Sequence, residues 1–132
     1  MDAVKQIDIE DTMWRDERGW GLNPFTASDF IPEGPCDIHV VSMVPGAVRG
    51  NHYHTTGTEW MLICGGPARI LLRSKKERQV EAMLADGRTP LLIEIPAHVE
   101  HAVRNESTER IYLVVFSDVP APEAVRCSSL FE

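Results

Sequence analysis

Short apolar or alternating runs, each closed by turn residues, follow one another along the chain. Val4 to Ile9 alternates, and Asp37-Ile-His-Val-Val-Ser-Met-Val44 is rich in β-branched residues and stops at Pro45-Gly46. Trp60 to Cys64 stops at Gly65-Gly66-Pro67, and Ala68 to Leu72 then resumes. Leu91 to Ile95 stops at Pro96, and Ile111 to Phe116 runs into Ser117-Asp118 and Pro120. Strand-length runs with turn punctuation at near-regular spacing predict an antiparallel sandwich or barrel. Nine prolines and nine glycines are spread along the chain and leave little room for a long helix. Lys75 to Leu84 fits a helix on residue preference. It fits equally a charged hairpin tip, Ser74-Lys-Lys-Glu-Arg78, leading into a strand from Gln79 to Leu84. Gly19 to Pro35, with three prolines, reads as a loop or arm lying over the barrel. The pattern is all-β.

The stretch richest in chemistry is Pro45-Gly-Ala-Val-Arg-Gly-Asn-His-Tyr-His-Thr-Thr-Gly-Thr-Glu59. Residues two apart on a strand share a face, so His52 and His54 project together and Tyr53 points away. Thr55 to Thr58, with Gly57 inside, is expected to close a tight hairpin. That would put Glu59 on the neighbouring strand, within cross-strand reach of both imidazoles. Pro96-Ala-His-Val-Glu-His-Ala-Val-Arg-Asn105 offers His98 and His101 at the start of a later strand. Three imidazoles and a carboxylate converge if these strands are neighbours in a small closed barrel. Such a set suits a divalent transition metal, zinc, iron, manganese or nickel among them, with positions left for substrate or water. A His-x-His pair alone occurs by chance on exposed strands. Joined to Glu59 and a later Pro-x-His-x-x-His, it is considerably more specific for metal.

Other candidates read more plainly. His39, inside the apolar run from Ile38 to Val44, reads as an ordinary strand histidine. Trp14, Trp20 and Trp60 read as core or barrel-mouth packing, with Trp60 also a candidate substrate contact beside Glu59.

Composition changes the picture mainly by exclusion. The 132 residues, 43% hydrophobic and 25% charged, fit one globular domain with a core of its own. A net charge of -7, with no basic run beyond Lys75-Lys76, disfavours nucleic acid and anionic membrane as partners. No apolar run approaches the ~20 residues that span a bilayer, and the acidic start shows no signal peptide. Cys36, Cys64 and Cys127, widely spaced and odd in number, read as reduced thiols in a cytoplasmic protein.

Here the residues reach a resemblance. Gly46-(x5)-His52-x-His54-(x4)-Glu59-(x6)-Gly66 resembles the first motif of the cupin superfamily. Pro96-x-x-x-x-His101-(x3)-Asn105 resembles the second, with His98 where the family usually has glycine. Together they cover about residues 46 to 105. Trp14-Arg-Asp-Glu-Arg-Gly19 is similar to the N-terminal arm of RmlC-like sugar-nucleotide epimerases and ketoisomerases. Arg49-Gly-Asn-His-Tyr-His54 is similar to a stretch of dTDP-sugar 3,4-ketoisomerases, and also to the cupin domain of CapF-type capsular polysaccharide enzymes. Val114-Val-Phe-Ser-Asp118 is like the ketoisomerases' closing strand.

The resemblance implies a double-stranded β-helix, the cupin jelly-roll barrel. Residues 1–36 would be an N-terminal strand and arm, 37–118 the barrel core and 119–132 a C-terminal tail. It implies His52, His54, Glu59 and His101 as metal ligands and a homodimer clasped by the arm. The implied activity is isomerisation or epimerisation of a nucleotide-linked 4-keto sugar in surface-polysaccharide synthesis. In such a sugar the hydrogen next to the carbonyl is acidified because an enolate can form, so a positioned base and acid suffice. Relatives without metal use the paired histidines as acid and base. With His52 and His54 occupied as ligands, His98 or Tyr53 are the candidates, with Tyr112 donating to the enolate oxygen. Glu59 favours the metal version, since the ketoisomerase pattern tends to carry glutamine there. Arg49, Arg69 and Arg73 are the local cations for an anionic sugar nucleotide, and have to act against the net negative charge. A metal-dependent small-cupin oxygenase and a non-catalytic sugar-binding or regulatory cupin fit the same scaffold.

Overall fold

A computed structural model describes residues 4–27, 37–74, 76–120 and 123–131. The expected continuation of the arm through residues 28–35 and Cys36 lie outside them. Among the described residues there are twelve strands and no α-helix. In order they are β1 (Lys5–Ile7), β2 (Met13–Asp16), β3 (Gly19–Leu22), β4 (Asp37–Met43), β5 (Val48–His54), β6 (Glu59–Cys64), β7 (Ala68–Ser74), β8 (Val80–Ala85), β9 (Leu91–Ile95), β10 (Val99–Asn105), β11 (Ile111–Ser117) and β12 (Ala124–Arg126). Short 3-10 turns occupy Glu10–Thr12 and Pro24–Thr26. No helix among the described residues is long and apolar enough to cross a membrane.

Two five-stranded sheets, in the orders β1-β9-β6-β11-β4 and β12-β5-β10-β7-β8, face each other, and β2 and β3 form a separate hairpin. All pairings are antiparallel. This is the double-stranded β-helix. Met43, Met61, Ile63, Ile70, Ile93, Val103 and Leu113 fill the space between the sheets. Strand alternation also explains why β6 reads as an unbroken apolar run. Met61 and Ile63 point inward, while Trp60 and Leu62 point outward and are buried with Ile7, Ile9, Ala27 and Phe116 under the N-terminal segment.

Three expectations change. The segment from Gly19 is not loop from its start, because Gly19–Leu22 pairs with Met13–Asp16. Of the tryptophans only Trp60 is core: Trp14 and Trp20 stand on that hairpin and are 61% and 38% exposed. Thr55 to Thr58 does not close a hairpin of paired strands either. β5 pairs with β10 and β12, whereas β6 pairs with β9 and β11 in the opposite sheet. The turn is a corner from one sheet to the other. The ambiguous stretch after Ser74 resolves as the hairpin, with Val80–Ala85 as strand.

Candidate metal centre and cavity

The corner is what brings the carboxylate to the imidazoles. His52 and His54 project inward from β5, and His101 lies directly opposite His52 on β10. The register slips between His101 and Ala102, leaving Asn51 bulged on β5 in the left-handed region at φ 61. Gly50, at φ 103, is pressed against β10 so closely that a Cβ there would sit 2.7 Å from the His101 carbonyl oxygen. His98, just before β10, adopts φ 68, a left-handed backbone where the cupin pattern has glycine. Its N–H donates to the His54 carbonyl oxygen at 2.8 Å, tying the two ends of the site together.

The resulting cluster is compact. The His52 ring lies 4.8 Å from that of His101 and 5.3 Å from that of His54, centre to centre. Ligand-capable nitrogens of the three histidines lie within 4.8 Å of one another. From the facing sheet, Glu59 brings Oε2 to 2.9 Å from His54 Nε2 and Oε1 to 3.3 Å from His101 Nε2. His101 and Glu59 are buried.

Backbone carbonyls set the tautomers. His54 Nδ1 donates to the Glu123 carbonyl oxygen at 3.1 Å, and His101 Nδ1 donates to that of Val99 at 3.0 Å. A carbonyl only accepts, so each Nδ1 carries its hydrogen and each Nε2 of a neutral ring presents a lone pair to the carboxylate. Both Nε2 atoms are buried without a well-directed hydrogen bond. Lone pairs facing carboxylate oxygens at this distance repel unless a proton or a cation lies between them. The residues present therefore fit a divalent metal, and His52, His54, His101 and Glu59 are placed to hold one.

Without metal, the same contacts redistribute protons. Contact with the Glu59 carboxylate raises the His54 pKa against the opposing cost of burial. For Glu59, burial favours the neutral acid, but His101 and His54 outweigh it and hold the carboxyl well below its usual range. Burial, helped by neighbouring His101 and His54 and by Arg126, pushes His52 down to about 4.

The cluster opens into a cavity of about 400 Å³, walled by Val41, Met61, Val103, Leu113 and Val115 and bordered by Arg49, Asp37, His39 and Ala124. Arg49, expected to contact substrate, is there, with its Nε donating to the Ser42 carbonyl oxygen at 3.1 Å. The other candidates lie outside the lining. Trp60 follows Glu59 on the strand and so faces the opposite way, its Nε1 donating to Glu94 at 3.1 Å. Arg69 pairs with Glu106, and Arg73 pairs with the buried Glu100 while bonding Ser128 at 3.0 Å. Tyr112 is half exposed on the outer face of β11. Tyr53 and His98 stand near each other, ring centres 6.2 Å apart, and neither borders the cavity.

Two features of the site were not singled out from the sequence, and a third was read otherwise. The tail strand β12 pairs with β5, placing the Glu123 carbonyl on His54 and Arg126 near His52. Asp37 borders the cavity. His39, read as an ordinary strand position, borders it too. Alternation back from buried Met43 through Val41 carries that signal for both.

Comparison with known proteins adds to this picture. A family model described as polysaccharide biosynthesis C-terminal domain matches residues 16–121. No curated protein sequence matches. Among solved structures, a dTDP sugar isomerase from Desulfovibrio desulfuricans superposes with a TM-score of 0.82 at 14% identity, over 98% of this chain and 87% of that one. The 3,4-ketoisomerase QdtA from Thermoanaerobacterium thermosaccharolyticum, a variant bound to TDP-4-keto-6-deoxyglucose, gives 0.76 at 16% identity, over 96% and 88%. The capsular polysaccharide assembling protein CapF from Staphylococcus aureus gives 0.66 at 20% identity. There the match covers 89% of this chain but 32% of CapF, so the chain spans about a third of that protein. At these identities the likeness establishes the RmlC-like cupin fold.

Proposed function

The chain belongs to the polysaccharide biosynthesis C-terminal domain family, and on that premise we propose that its cavity isomerises or epimerises a nucleotide-linked 4-keto sugar. In this reading His52, His54, Glu59 and His101 hold a divalent metal. The observation that carries it is the pair of buried, unpartnered Nε2 atoms turned on the Glu59 carboxylate at the cavity floor. Bound there, the ion would supply Lewis-acid stabilisation of charge on a carbonyl oxygen.

The chain's own residues do the rest. The apolar walls exclude water, which strengthens every charge interaction inside. The cavity lies within the ~300–1,000 Å³ range of small-molecule sites. Arg49, fixed through Nε, keeps its terminal nitrogens for an anionic group at the rim. It offsets locally the unfavourable net charge of -7. That QdtA was solved with a TDP-linked keto sugar supports this substrate class. The same reading has the protein act in the cytoplasm as a homodimer.

A metal-free version of the chemistry is favoured by the 2.9 Å contact of His54 with Glu59, which raises the His54 pKa and suits it to the acid role, while burial pushes His52 down to about 4 and leaves it the base. The activity itself is tested by incubating the protein with nucleotide 4-keto sugars in heavy water and following the carbon-bound hydrogens by NMR. Deuterium entering next to the carbonyl is expected. No exchange across a panel of such sugars counts against both versions.

A further inference from the structure

Proton transfer in the proposed reaction needs a group that a bound metal leaves free. His52, His54 and His101 would be ligands, and His98, Tyr53 and Tyr112 do not border the cavity. His39 does. Its Nδ1 lies 3.3 Å from Asp37 Oδ2, and both residues border the same cavity as the histidine cluster. A carboxylate only accepts, so in the neutral ring this contact places the hydrogen on Nδ1 and the lone pair on Nε2. The ring is 48% exposed, within reach of a ligand and not locked in the core.

Strand register gives the spacing. Ser117 on β11 pairs with Asp37 on one side and Glu59 on the other, and Val115 likewise pairs with His39 and Met61. Asp37 and Glu59 therefore stand in one row, two strands apart, with His39 one inward position further along. At ~4.8 Å between strands and ~3.4 Å per residue, the His39 and Glu59 backbones are ~12 Å apart. With both side chains reaching inward, that span accommodates one sugar ring between the metal centre and His39.

We propose that His39 is the catalytic proton carrier of this cavity and that Asp37 is its positioning residue. The assignment rests on the keto-sugar, metal-bound reading above. His39 Nε2 takes the hydrogen next to the carbonyl as a proton. The C–H electron pair becomes the C=C bond of an enolate, and the carbonyl π pair moves onto oxygen. When the enolate collapses, return of the proton to the carbon that lost it regenerates the ketone, with solvent deuterium in its place. Where that carbon carries a hydroxyl, the imidazolium can instead protonate the former carbonyl carbon while the hydroxyl passes its own proton to the former carbonyl oxygen, which yields the transposed ketone. Protons and electrons balance without a co-reactant.

The test compares wild type, His39→Gln, Asp37→Asn and Asp37→Glu, each metal-loaded, with TDP-4-keto-6-deoxyglucose in heavy water. For His39→Gln, exchange is expected to fall by ~10²–10⁴-fold. Metal content and thermal stabilisation by the sugar nucleotide should stay at wild-type levels, and added imidazole should restore part of the rate. For Asp37→Asn, kcat should fall about tenfold or more with KM unchanged, and Asp37→Glu should recover part of it. Exchange by His39→Gln within threefold of wild type overturns the assignment and leaves the functional reading standing. Loss of metal or of sugar-nucleotide stabilisation in His39→Gln makes the residue structural and also overturns it. No exchange by wild type with this sugar or with any other of the panel of nucleotide 4-keto sugars overturns the functional reading and the assignment with it.

Discussion

His54 and Glu59 sit in opposite sheets, yet His54 Nε2 and Glu59 Oε2 are 2.9 Å apart. The four-residue corner between them turns a sequence neighbour into a partner across the barrel. The chemistry of the cavity follows from that contact, because the carboxylate decides whether the imidazoles face a proton or a metal.

Glu59→Gln keeps the shape and removes the charge. Affinity for a divalent ion is expected to fall by ~10–100-fold or more, as for loss of other groups that tune a metal site. The His54 titration, followed by NMR in metal-free protein, should move to lower pH. An unchanged His54 titration would show that Glu59 does not set it.

In metal-free protein the two shifts act in opposite pH windows. His52 titrates near 4 in the folded chain against 6.5 unfolded, so the unfolded state takes up the proton first. Stability should fall as pH drops from about 6.5 toward 4. His54 is raised, so its contribution is full below its unfolded pKa and is lost as pH rises through the folded one. Thermal denaturation across pH, with His52→Gln flattening the acid side and Glu59→Gln the alkaline side, checks both.

Gly50→Ala tests the seam between β5 and β10. The new Cβ would collide with the His101 carbonyl oxygen at 2.7 Å, and φ 103 is costly for alanine. A loss of ~2–4 kcal/mol in unfolding free energy is expected, together with weaker metal retention because His52 and His101 would be pushed apart. Wild-type stability would mean that this close approach is absent in solution.

The tail is expected to act on the site through a carbonyl. Ending the chain at residue 122 removes the Glu123 acceptor that fixes His54, along with the hold of Asn51 on Leu130 N at 2.8 Å. Metal affinity by calorimetry should drop by ~10–100-fold. Affinity equal to wild type would show that His54 needs no such support.

How much of this was legible in the sequence follows from how local each signal is. The strands and the shared face of His52 and His54 came from a period of two, a property of the chain alone. His101 was legible through its spacing from Pro96. Glu59 was legible as a residue, but the hairpin expected to deliver it was not the route, because which sheet a strand joins is decided by distant partners. Hydrophobic runs also conceal which face is inside. β6 is buried on both faces, so Trp60 could not be told from a cavity residue, and its packing under Ile7 and Phe116 settles the matter. The β12 strand is three residues long, and the tail beyond it is held by side chains such as Asn51 and Arg73, which leaves no periodic trace.

The most direct measurement is the metal content of untagged protein, by mass spectrometry of the elements, beside a His52→Ala/His54→Ala variant. The metal-centre account predicts close to one divalent ion per wild-type chain and almost none in the variant. Equal, low content in both would contradict it and leave the histidines as acid and base in their own right.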